Sequence, residues 1–562
     1  MGTSPPPDTI LLVGRTGRTG RTGPTATTGG SGSVITLDPQ QPRAQAVAVR
    51  DGVIAAVGAR DEVLALRGPE SEVVELGDLC VLPGLIEPHT HPDLCAQCYA
   101  WVDISGFTHK SVEGVEHALR QAIAATPPGE WVYAFGLDAM LTDDIGVWDR
   151  ERLDAIAPEH PVVVMIQSMH TLFVNSRALA AAGVDESTPD PPGGGRYQRN
   201  KDGQLSGKIE EAAAMFPFLR FDLPTKEVLS ARMWQQYQRY ARAGLTTIGI
   251  PGLFTPPSML DLFEEFSRRR DVPIRTVAYL RHQHLDQVTW RPGDGNPFFR
   301  VQGVKLWYDG SPYSGTMLLD EPYLDSRLCC CTLGIPSGTT GRANFSPSEM
   351  LELTSQLHAD GWQVLTHAQG DRGTREIVDL YSQALARHPR ADHRWRLEHC
   401  ALISEKDLQR ALSLGVTVSF HVNHLYYYGD ELRDHIIGPE RAARLMPVGT
   451  ALRLGHRVSL HADSPMYPPE PFRLMQTAVT RRSRTGQEIG PDEAISAEAA
   501  LRAVTIDAAW QLFSEDRVGS LEVGKQADFA VVDRDPLSIA SDEISRVEVA
   551  QTWVAGRRVQ FD

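Results

Sequence analysis

The stretch VLPGLIEPHTHPDL, residues 81–94, joins an apolar run to two histidines, His89 and His91, which are separated by one threonine. Side chains two positions apart on a β-strand point to the same face, so both imidazoles can reach one ion. A single His-x-His pair is a weak signal by itself. Its meaning depends on whether other strands bring further metal ligands to the same place.

Seven further strand candidates follow along the chain, and helical patterns separate most of them. The eight candidates are VLPGLIEPH (81–89), TTIGIPG (246–252), IRTVAYL (274–280), GVKLWYDG (303–310), WQVLTHA (362–368), WRLEH (395–399), GVTVSF (415–420) and RVSLHAD (457–463). One predicted helix has Ser346 as its N-cap, Pro347 at its first position and Glu349 three residues after the cap. Eight strands that alternate with helices predict an α/β fold of the (β/α)8 barrel type.

Polar residues lie at the C-terminal ends of these strands, where barrel enzymes carry their active sites. The strand ends carry His89, His91, Lys305, His367, His399 and Asp463. Imidazole nitrogens and carboxylate oxygens are ligands of zinc and similar divalent ions, so we expect these groups to meet in one metal site. A bare ammonium is costly to bury, so Lys305 is expected either in an ion pair or converted to a carbamate.

Short strand-like runs at both ends of the chain predict a second, smaller domain. They are TILLV, SVITL, AVAVR and VIAAVG near the N-terminus, and ADFAVVDRD and VEVAQTWVAGRRVQ near the C-terminus. We expect a β-sandwich built from residues 1–78 and 518–562, and a barrel domain at 79–517. The low-complexity segment at about 14–33, rich in Gly, Thr and Arg, is expected to be a flexible surface loop.

A long segment, about 95–224, separates the first two barrel strands. It contains strand candidates of its own, WVYAFG and PVVVMIQ, and the Pro/Gly-rich loop TPDPPGGGRY. We expect it to be an insertion that covers the mouth of the barrel.

Composition restricts the class of protein. The 562 residues are 42% hydrophobic and 22% charged, as in ordinary globular proteins. The formal net charge of −16 argues against a nucleic acid or an anionic membrane as a partner. No apolar run of about 18 residues and no secretory signal pattern occur, so a membrane span is not expected. Seven cysteines, an odd number, favour reduced thiols and a cytoplasmic protein.

Several stretches resemble the amidohydrolase superfamily, and within it the family-3, YtcJ-like branch that includes N-substituted formamide deformylases. They span nearly the whole chain and read AVAVRDGVIAAVG, VLPGLIEPHTH, MHTLFVNSRAL, GVKLWYDGSPYSG, VLTHAQGDRG, RLEHCALI, SLHADSPM and VGSLEVGKQADFAVVDRDP. The resemblance implies a barrel with a terminal β-sandwich, a homodimer, and metal ligation by His89, His91, His367 and His399. It also implies that Asp463 binds metal and handles protons, and that Lys305 is carboxylated and bridges two ions.

The chain departs from the family pattern at two places. Glu87 stands where the family usually has Asp before the His-x-His pair, and His421-Val422-Asn423-His424 stands where it tends to have Gln-Pro-x-His. His424 keeps the matching position, and His421 replaces an amide with a titratable ring. We expect both to contact substrate, together with His170 of MHTLFVNSRAL; the structural alternative for His170 is that it holds the insertion in place.

These features predict an enzyme that hydrolyses a non-peptide C–N bond of a small molecule: an amide, a formamide or a cyclic amide. A bound divalent ion would activate water as hydroxide, and Asp463 would pass a proton to the leaving nitrogen. Zinc is the expected metal, in one or two copies, with manganese and iron left open. Two alternatives are a deaminase of a ring C=N bond, which Lys305 disfavours, and a binding protein on the same fold that has lost its chemistry. The substrate itself cannot be read from the sequence.

Overall fold

A computed structural model of the protein describes residues 10–14, 33–192, 194–219, 224–254 and 259–561. Eight strands form one sheet whose members follow the order of the sequence, each hydrogen-bonded in parallel to the next. They are β1 (Leu85–Glu87), β2 (Leu245–Pro251), β3 (Arg275–Arg281), β4 (Phe299–Trp307), β5 (Gln363–Ala368), β6 (Arg396–His399), β7 (Thr417–Phe420) and β8 (Val458–Leu460). The sheet curls into a nearly closed barrel, which confirms the (β/α)8 fold predicted from the sequence.

Helices alternate with the strands of the barrel. They are Pro92–Cys98, Lys226–Arg242, Leu260–Ser267, Pro347–Ala359, Asp371–Arg387, Glu405–Ser413, Asn423–Glu431, Pro439–Ala442, Val448–Leu454, Pro471–Thr480, Ala497–Ala503 and Ile506–Gln511. The helix Pro347–Ala359 has the predicted cap, since Ser346 accepts from the Glu349 N–H and the Glu349 side chain accepts from the Ser346 N–H. Among the described residues, no helix combines the length and the apolar character that a membrane span needs.

Two smaller sheets are built from the ends of the chain: the first from N-terminal strands alone, and the second from strands of both ends. One contains Ile10–Gly14, Ala46–Arg50, Val53–Gly58 and Glu72–Gly77; the other contains Val34–Ile35, Arg43–Ala44, Cys80–Pro83, Phe529–Val532, Val549–Val554 and Arg557–Arg558. Val47 and Val49 of the first sheet share a buried cluster with Phe529 and Trp553 of the second. This confirms a small β-domain assembled from both termini. The exact boundaries at 78 and 518 stay predictions, and the low-complexity loop falls almost wholly on residues 15–32, outside the described part.

The segment between β1 and β2 forms a six-stranded sheet of its own. In spatial order its strands are Arg196–Arg199, Leu205–Glu210, Thr171–Val174, Val162–Ile166, Val132–Leu137 and Val102–Asp103. Alternate residues enter two different clusters: Val163 packs with the helices Ser176–Ala182 and Glu211–Leu219, and Val164 packs with Val112–Ala125 and Arg150–Ile156. The insertion is therefore a layered body with a core on each face of its sheet.

A buried ion pair links the barrel to the small β-domain. Arg275, at the start of β3, donates from Nε to Asp528 Oδ2 (2.7 Å) and from Nη2 to Asp528 Oδ1 (3.0 Å). The two side chains are 4% and 2% exposed. Because both charges have left water, each depends on the other for compensation.

We expect Asp528→Ala to lower the free energy of unfolding by about 3–5 kcal/mol, since it leaves Arg275 buried without its carboxylate. Chemical denaturation of the full chain measures the change. The matched control is Asp320→Ala, which breaks the Arg375 pair whose side chains are 39% and 44% exposed. That loss should stay below about 1 kcal/mol, and equal losses in the two variants would contradict the assignment.

Candidate metal centre

His89 and His91 lie directly after β1, at the mouth of the barrel. Both are buried, and their Nε2 atoms lie 3.5 Å and 3.1 Å from Asp463 Oδ1. Asp463 follows β8, so the first and last strands of the barrel supply the three groups. The spacing of the His-x-His pair indeed turns both imidazoles to one side.

The other predicted ligands close the hollow from the opposite wall. The rings of His367 and His399 have centroids 4.4 Å apart, and His399 lies 4.8 Å from the ring of His89. Lys305, on β4, is fully buried. Its charge acts on His89, His367, His399 and Asp463. The structure thus brings all six predicted ligands into one region.

Three groups of buried side chains in this region present ligand atoms within 4.8 Å of one another. The subsets are His89 with His91 and Asp463, His399 with His421 and Asp463, and His89 with His399 and His461. His421 was predicted as a substrate contact, yet it enters one of these subsets, and His461 enters another. His367 lies outside them, and its Nε2 is instead 3.2 Å from the Gly310 carbonyl oxygen.

His421 is held in a tautomer suited to ligation. Its Nε2 lies 3.0 Å from the carbonyl oxygen of Ala462, which accepts the Nε2–H. The Nδ1 atom, which then carries the lone pair, lies 4.0 Å from Asp463 Oδ2.

Left-handed backbone conformations turn two of the groups inward. His399 has φ 72° and Asp463 has φ 55°, values that non-glycine residues adopt rarely. Along β6, alternation would send Glu398 and His399 to opposite faces, but the turn at His399 brings both toward the barrel axis. Such a conformation costs of order 1–3 kcal/mol and is characteristic of functional sites.

Two carboxylates hold the predicted ligands in place: Glu87, which the sequence marked as a departure from the family pattern, and Glu398, which it did not single out. Glu398 Oε2 accepts from His89 Nδ1 at 2.6 Å, and Glu398 also accepts from Arg396. The resulting tautomer leaves the Nε2 lone pair of His89 aimed at the hollow. Glu87 accepts from the backbone N–H groups of His89 (3.2 Å) and Ala462 (3.0 Å). RLEH contains Glu398, but strand alternation alone assigns it to the wrong face.

The electrostatics of the hollow suit a cation. Burial lowers the pKa of His89, His367 and His399 well below the ordinary value, and neighbouring positive groups act in the same direction. These imidazoles are therefore neutral, as metal ligation requires. Burial alone would raise the pKa of Asp463, but the approach of His91 and nearby positive charges outweigh it and lower that pKa, so Asp463 is a carboxylate.

Two buried nitrogen atoms of the hollow strengthen the fit. Within the described part of the chain, His421 Nδ1 and Lys305 Nζ have no hydrogen-bond partner. Burial lowers the pKa of Lys305 to about 8. A divalent ion with a carbamate on Lys305 would remove the cost of burying that lone amine. The residues present therefore fit such an ion.

His170 reaches the site from the insertion and is held by a carboxylate. Its Nδ1 donates to Glu211 Oε2 at 2.9 Å, and its ring centroid lies 5.4 Å from that of His367. Thr316 donates to Glu211 Oε1 at 2.8 Å. Gly310 permits this approach, because a Cβ there would meet Thr316 Oγ1 at 2.1 Å and Glu211 Oε1 at 2.5 Å. Glu211 is 41 positions from His170, and no pattern in the sequence joins them.

His424 lies beside His421, with ring centroids 4.1 Å apart. Its Nδ1 is 2.9 Å from the hydroxyls of both Tyr313 and Tyr467. Its Nε2 is buried and has no hydrogen-bond partner among the described residues. The two tyrosines fix the ring and leave one nitrogen for another molecule. No pattern in the sequence joins either tyrosine to His424.

A parallel (β/α)8 barrel with histidines and a carboxylate gathered at its mouth defines a class of metal-binding barrel proteins. Residues 72–560 match the amidohydrolase family, and the chain belongs to that family. The resemblance seen in the sequence is thus confirmed.

Known proteins resemble the chain over almost its full length. The N-substituted formamide deformylase of Arthrobacter pascens is 28% identical over 93% of this chain and 96% of the relative. The Bacillus subtilis protein YtcJ, which is named as an amidohydrolase, is 24% identical over 94% of this chain and 98% of the relative. A metal-dependent hydrolase from Pyrococcus horikoshii of known structure has a TM-score of 0.71 at 22% identity, covering 95% of this chain and 99% of that one. The structural likeness shows the fold.

We expect Glu398→Gln to weaken zinc binding by about 10- to 100-fold, because the amide is a poorer acceptor for His89 Nδ1–H. Competition with a chelator measures the affinity. Glu405→Gln, an exposed change on a surface helix, is the control and should leave it unaltered. Unchanged affinity in Glu398→Gln would exclude the supporting role of Glu398.

Proposed function

We propose that this protein is a metal-dependent hydrolase that cleaves a non-peptide C–N bond in a small molecule: an amide, a formamide or a cyclic amide. The convergence of His89, His91, His399 and Lys305 on Asp463 at the barrel mouth carries the proposal. The formamide deformylase relative supports the choice of bond. The homodimer and the cytoplasmic location expected from the sequence stay predictions.

In this proposal the metal is zinc, in one or two copies. The residues that would hold it are His89, His91, His367, His399 and Asp463, with Lys305 as a carbamate. When bound, the ion would lower the pKa of a coordinated water toward about 7 and polarise the substrate carbonyl.

Asp463 is the proposed catalytic residue. Its lowered pKa keeps it ionised at neutral pH, so it can accept the proton of the attacking water. The same carboxylic acid then returns the proton to the departing nitrogen. The products are a carboxylic acid and an amine.

The substrate carbonyl needs a hydrogen-bond donor as negative charge develops on its oxygen. His424 offers Nε2, which is buried and unpartnered within the described chain. His170 offers its Nε2, since Nδ1 is engaged by Glu211. We propose that both contact the substrate, with His421 beside them, and that the Glu211 pair keeps the His170 ring turned toward the site.

A panel of N-substituted formamides, N-acyl amino acids, cyclic ureas and amino-substituted nitrogen heterocycles, assayed with metal-loaded protein, tests the proposal. Carboxylic acid and amine should appear in equal amounts from at least one class. Ammonia without carboxylic acid would identify a deaminase of a ring C=N bond instead. Bound metal without turnover of any compound would favour a catalytically silent binding protein.

Asp463→Asn should retain most of the metal but lower kcat by about 10²- to 10⁴-fold, because the amide cannot accept the water's proton. Metal analysis and turnover on the responsive substrate are measured together. Asp492→Asn, at an exposed position, is the control. Normal turnover in Asp463→Asn would refute the catalytic role.

Lys305 should take up carbon dioxide. In protein prepared with ¹³C-bicarbonate, we expect a carbamate carbon signal by NMR that is lost in Lys305→Met. The reaction needs the neutral amine, so in metal-free protein held at a fixed concentration of dissolved CO₂ its rate should rise with pH through about 8, the lowered pKa of Lys305. An absent signal in the wild-type protein would leave Lys305 as a bare amine and favour a single ion.

A further inference from the structure

A partly open cavity lies between the insertion sheet and the segments above the barrel. Its walls are largely apolar and aromatic, and include Leu137, Trp148, Phe173, Tyr313 and Tyr428. Strands of the insertion supply much of this wall, and loop and helix residues of the barrel domain supply the rest.

The cavity borders the candidate metal centre at two points. Tyr313 lines it and places its hydroxyl 2.9 Å from His424 Nδ1. Gln167 also lines it, and its Nε2 donates at 2.5 Å to the carbonyl oxygen of Met466. Met466 in turn donates its N–H to the carbonyl oxygen of Asp463 at 2.9 Å. The cavity and the candidate metal centre are therefore neighbours in the structure.

Three polar atoms of the lining residues lack partners. Gln167 Oε1, Ser168 Oγ and Thr171 Oγ1 are all buried, and none has a hydrogen-bond partner within the described residues. Their residues are 3%, 6% and 1% exposed. Buried polar atoms are nearly always paired, so three unpaired ones on one cavity indicate a molecule that binds there.

The charged groups of the lining are already engaged by other groups of the protein. Lys208 Nζ lies 3.2 Å from Glu210 Oε1 and donates to the Leu333 carbonyl oxygen at 2.9 Å. Asp138 accepts from Tyr428 and from the backbone N–H groups of Met140 and Leu141. An ionised ligand group would find no free counter-charge among them, and a neutral group would lose least on leaving water.

We propose that this cavity is the specificity pocket of the enzyme and takes the non-reacting group of the substrate, an uncharged apolar or aromatic group that carries a hydrogen-bond donor. This inference rests on the proposed function, because it takes the bound molecule to be the substrate. The apolar walls bind the ring or chain, and Gln167 Oε1, Ser168 Oγ and Thr171 Oγ1 bind the donor. The insertion then selects the molecule, whereas the barrel performs the reaction.

Binding of small probes to the metal-loaded full chain tests the pocket without any turnover. Benzyl alcohol, toluene and benzoate are titrated by ligand-observed NMR. Ala139→Phe, which fills the cavity, should lower the affinity for benzyl alcohol and for toluene by at least about tenfold. Benzoate bound at the metal should not respond to this variant. A wild-type protein that binds no benzyl alcohol, or an Ala139→Phe variant that binds it equally well, would overturn the proposal.

Thr171→Val separates a specific hydrogen bond from a general disturbance of the fold. The substitution keeps the shape of the side chain and removes the hydroxyl. The affinity for benzyl alcohol should therefore fall about three- to tenfold, while the affinity for toluene should be unchanged or higher. Thr247→Val is the matched control, because Thr247 is equally buried, also has an unpartnered hydroxyl within the described chain, and lies on β2 away from this cavity. Equal weakening of both probes in Thr171→Val would overturn the polar part of the proposal.

Turnover then links the pocket to the reaction. If formamides are substrates, Ala139→Phe should lower kcat/KM at least tenfold for an N-benzyl compound and leave N-methylformamide unchanged. If the protein binds benzyl alcohol as expected but hydrolyses no amide, the proposed function is refuted and the proposed pocket stands. If wild type and Ala139→Phe hydrolyse both formamides equally well, the proposed function stands and the proposed pocket is refuted.

Discussion

The seam between the first and last barrel strands is the constraint on which the site depends. No strand pairing joins β1 to β8 in the described chain, but the Glu87 carboxylate accepts from Ala462 N–H, and His91 N–H donates to the Ser464 carbonyl oxygen at 2.9 Å. These bonds connect residues more than 370 positions apart and set His89 and His91 against Asp463. Burial raises the pKa of Glu87, although its two backbone donors oppose that shift. The carboxylate thus has a structural task in closing the barrel, and its extra methylene relative to aspartate gives it the reach.

The site around this seam is arranged at a cost in backbone and polar free energy. His399 and Asp463 occupy left-handed conformations, and several buried nitrogen atoms lack partners in the described chain. An apolar barrel interior would avoid both costs. Under the proposed function, a bound cation would recover part of both costs, because ligation would satisfy unpartnered nitrogen atoms such as His421 Nδ1 and use the inward turn of the strand ends. Metal binding and the folded geometry would then be coupled at this centre.

Periodicity made the fold predictable from the sequence, and it also explains what could not be predicted. The eight strand candidates correspond to β1–β8 because each is a short apolar run that ends in a polar residue, and the helix cap at Ser346 follows from local hydrogen bonding. Only two strands of the layered insertion were predicted, since its remaining strands are short or carry several polar residues. At the site, Glu398 escaped prediction because the backbone at His399 breaks the alternation on which the prediction rested. The Glu211 and Tyr313 contacts are long-range and leave no local signal.

The barrel and the insertion supply different parts of the candidate site. Groups that converge on Asp463 come from strand ends, whose positions are fixed by the hydrogen bonds of the barrel. His170 and much of the cavity wall come from the insertion, whose sheet has a core of its own on each face. The two bodies meet where Tyr428 of the barrel domain donates to Asp138 of the insertion. Under the proposed function, residues of the insertion at this boundary would select the substrate, while the groups at the strand ends would be constrained by the geometry of the bound ion.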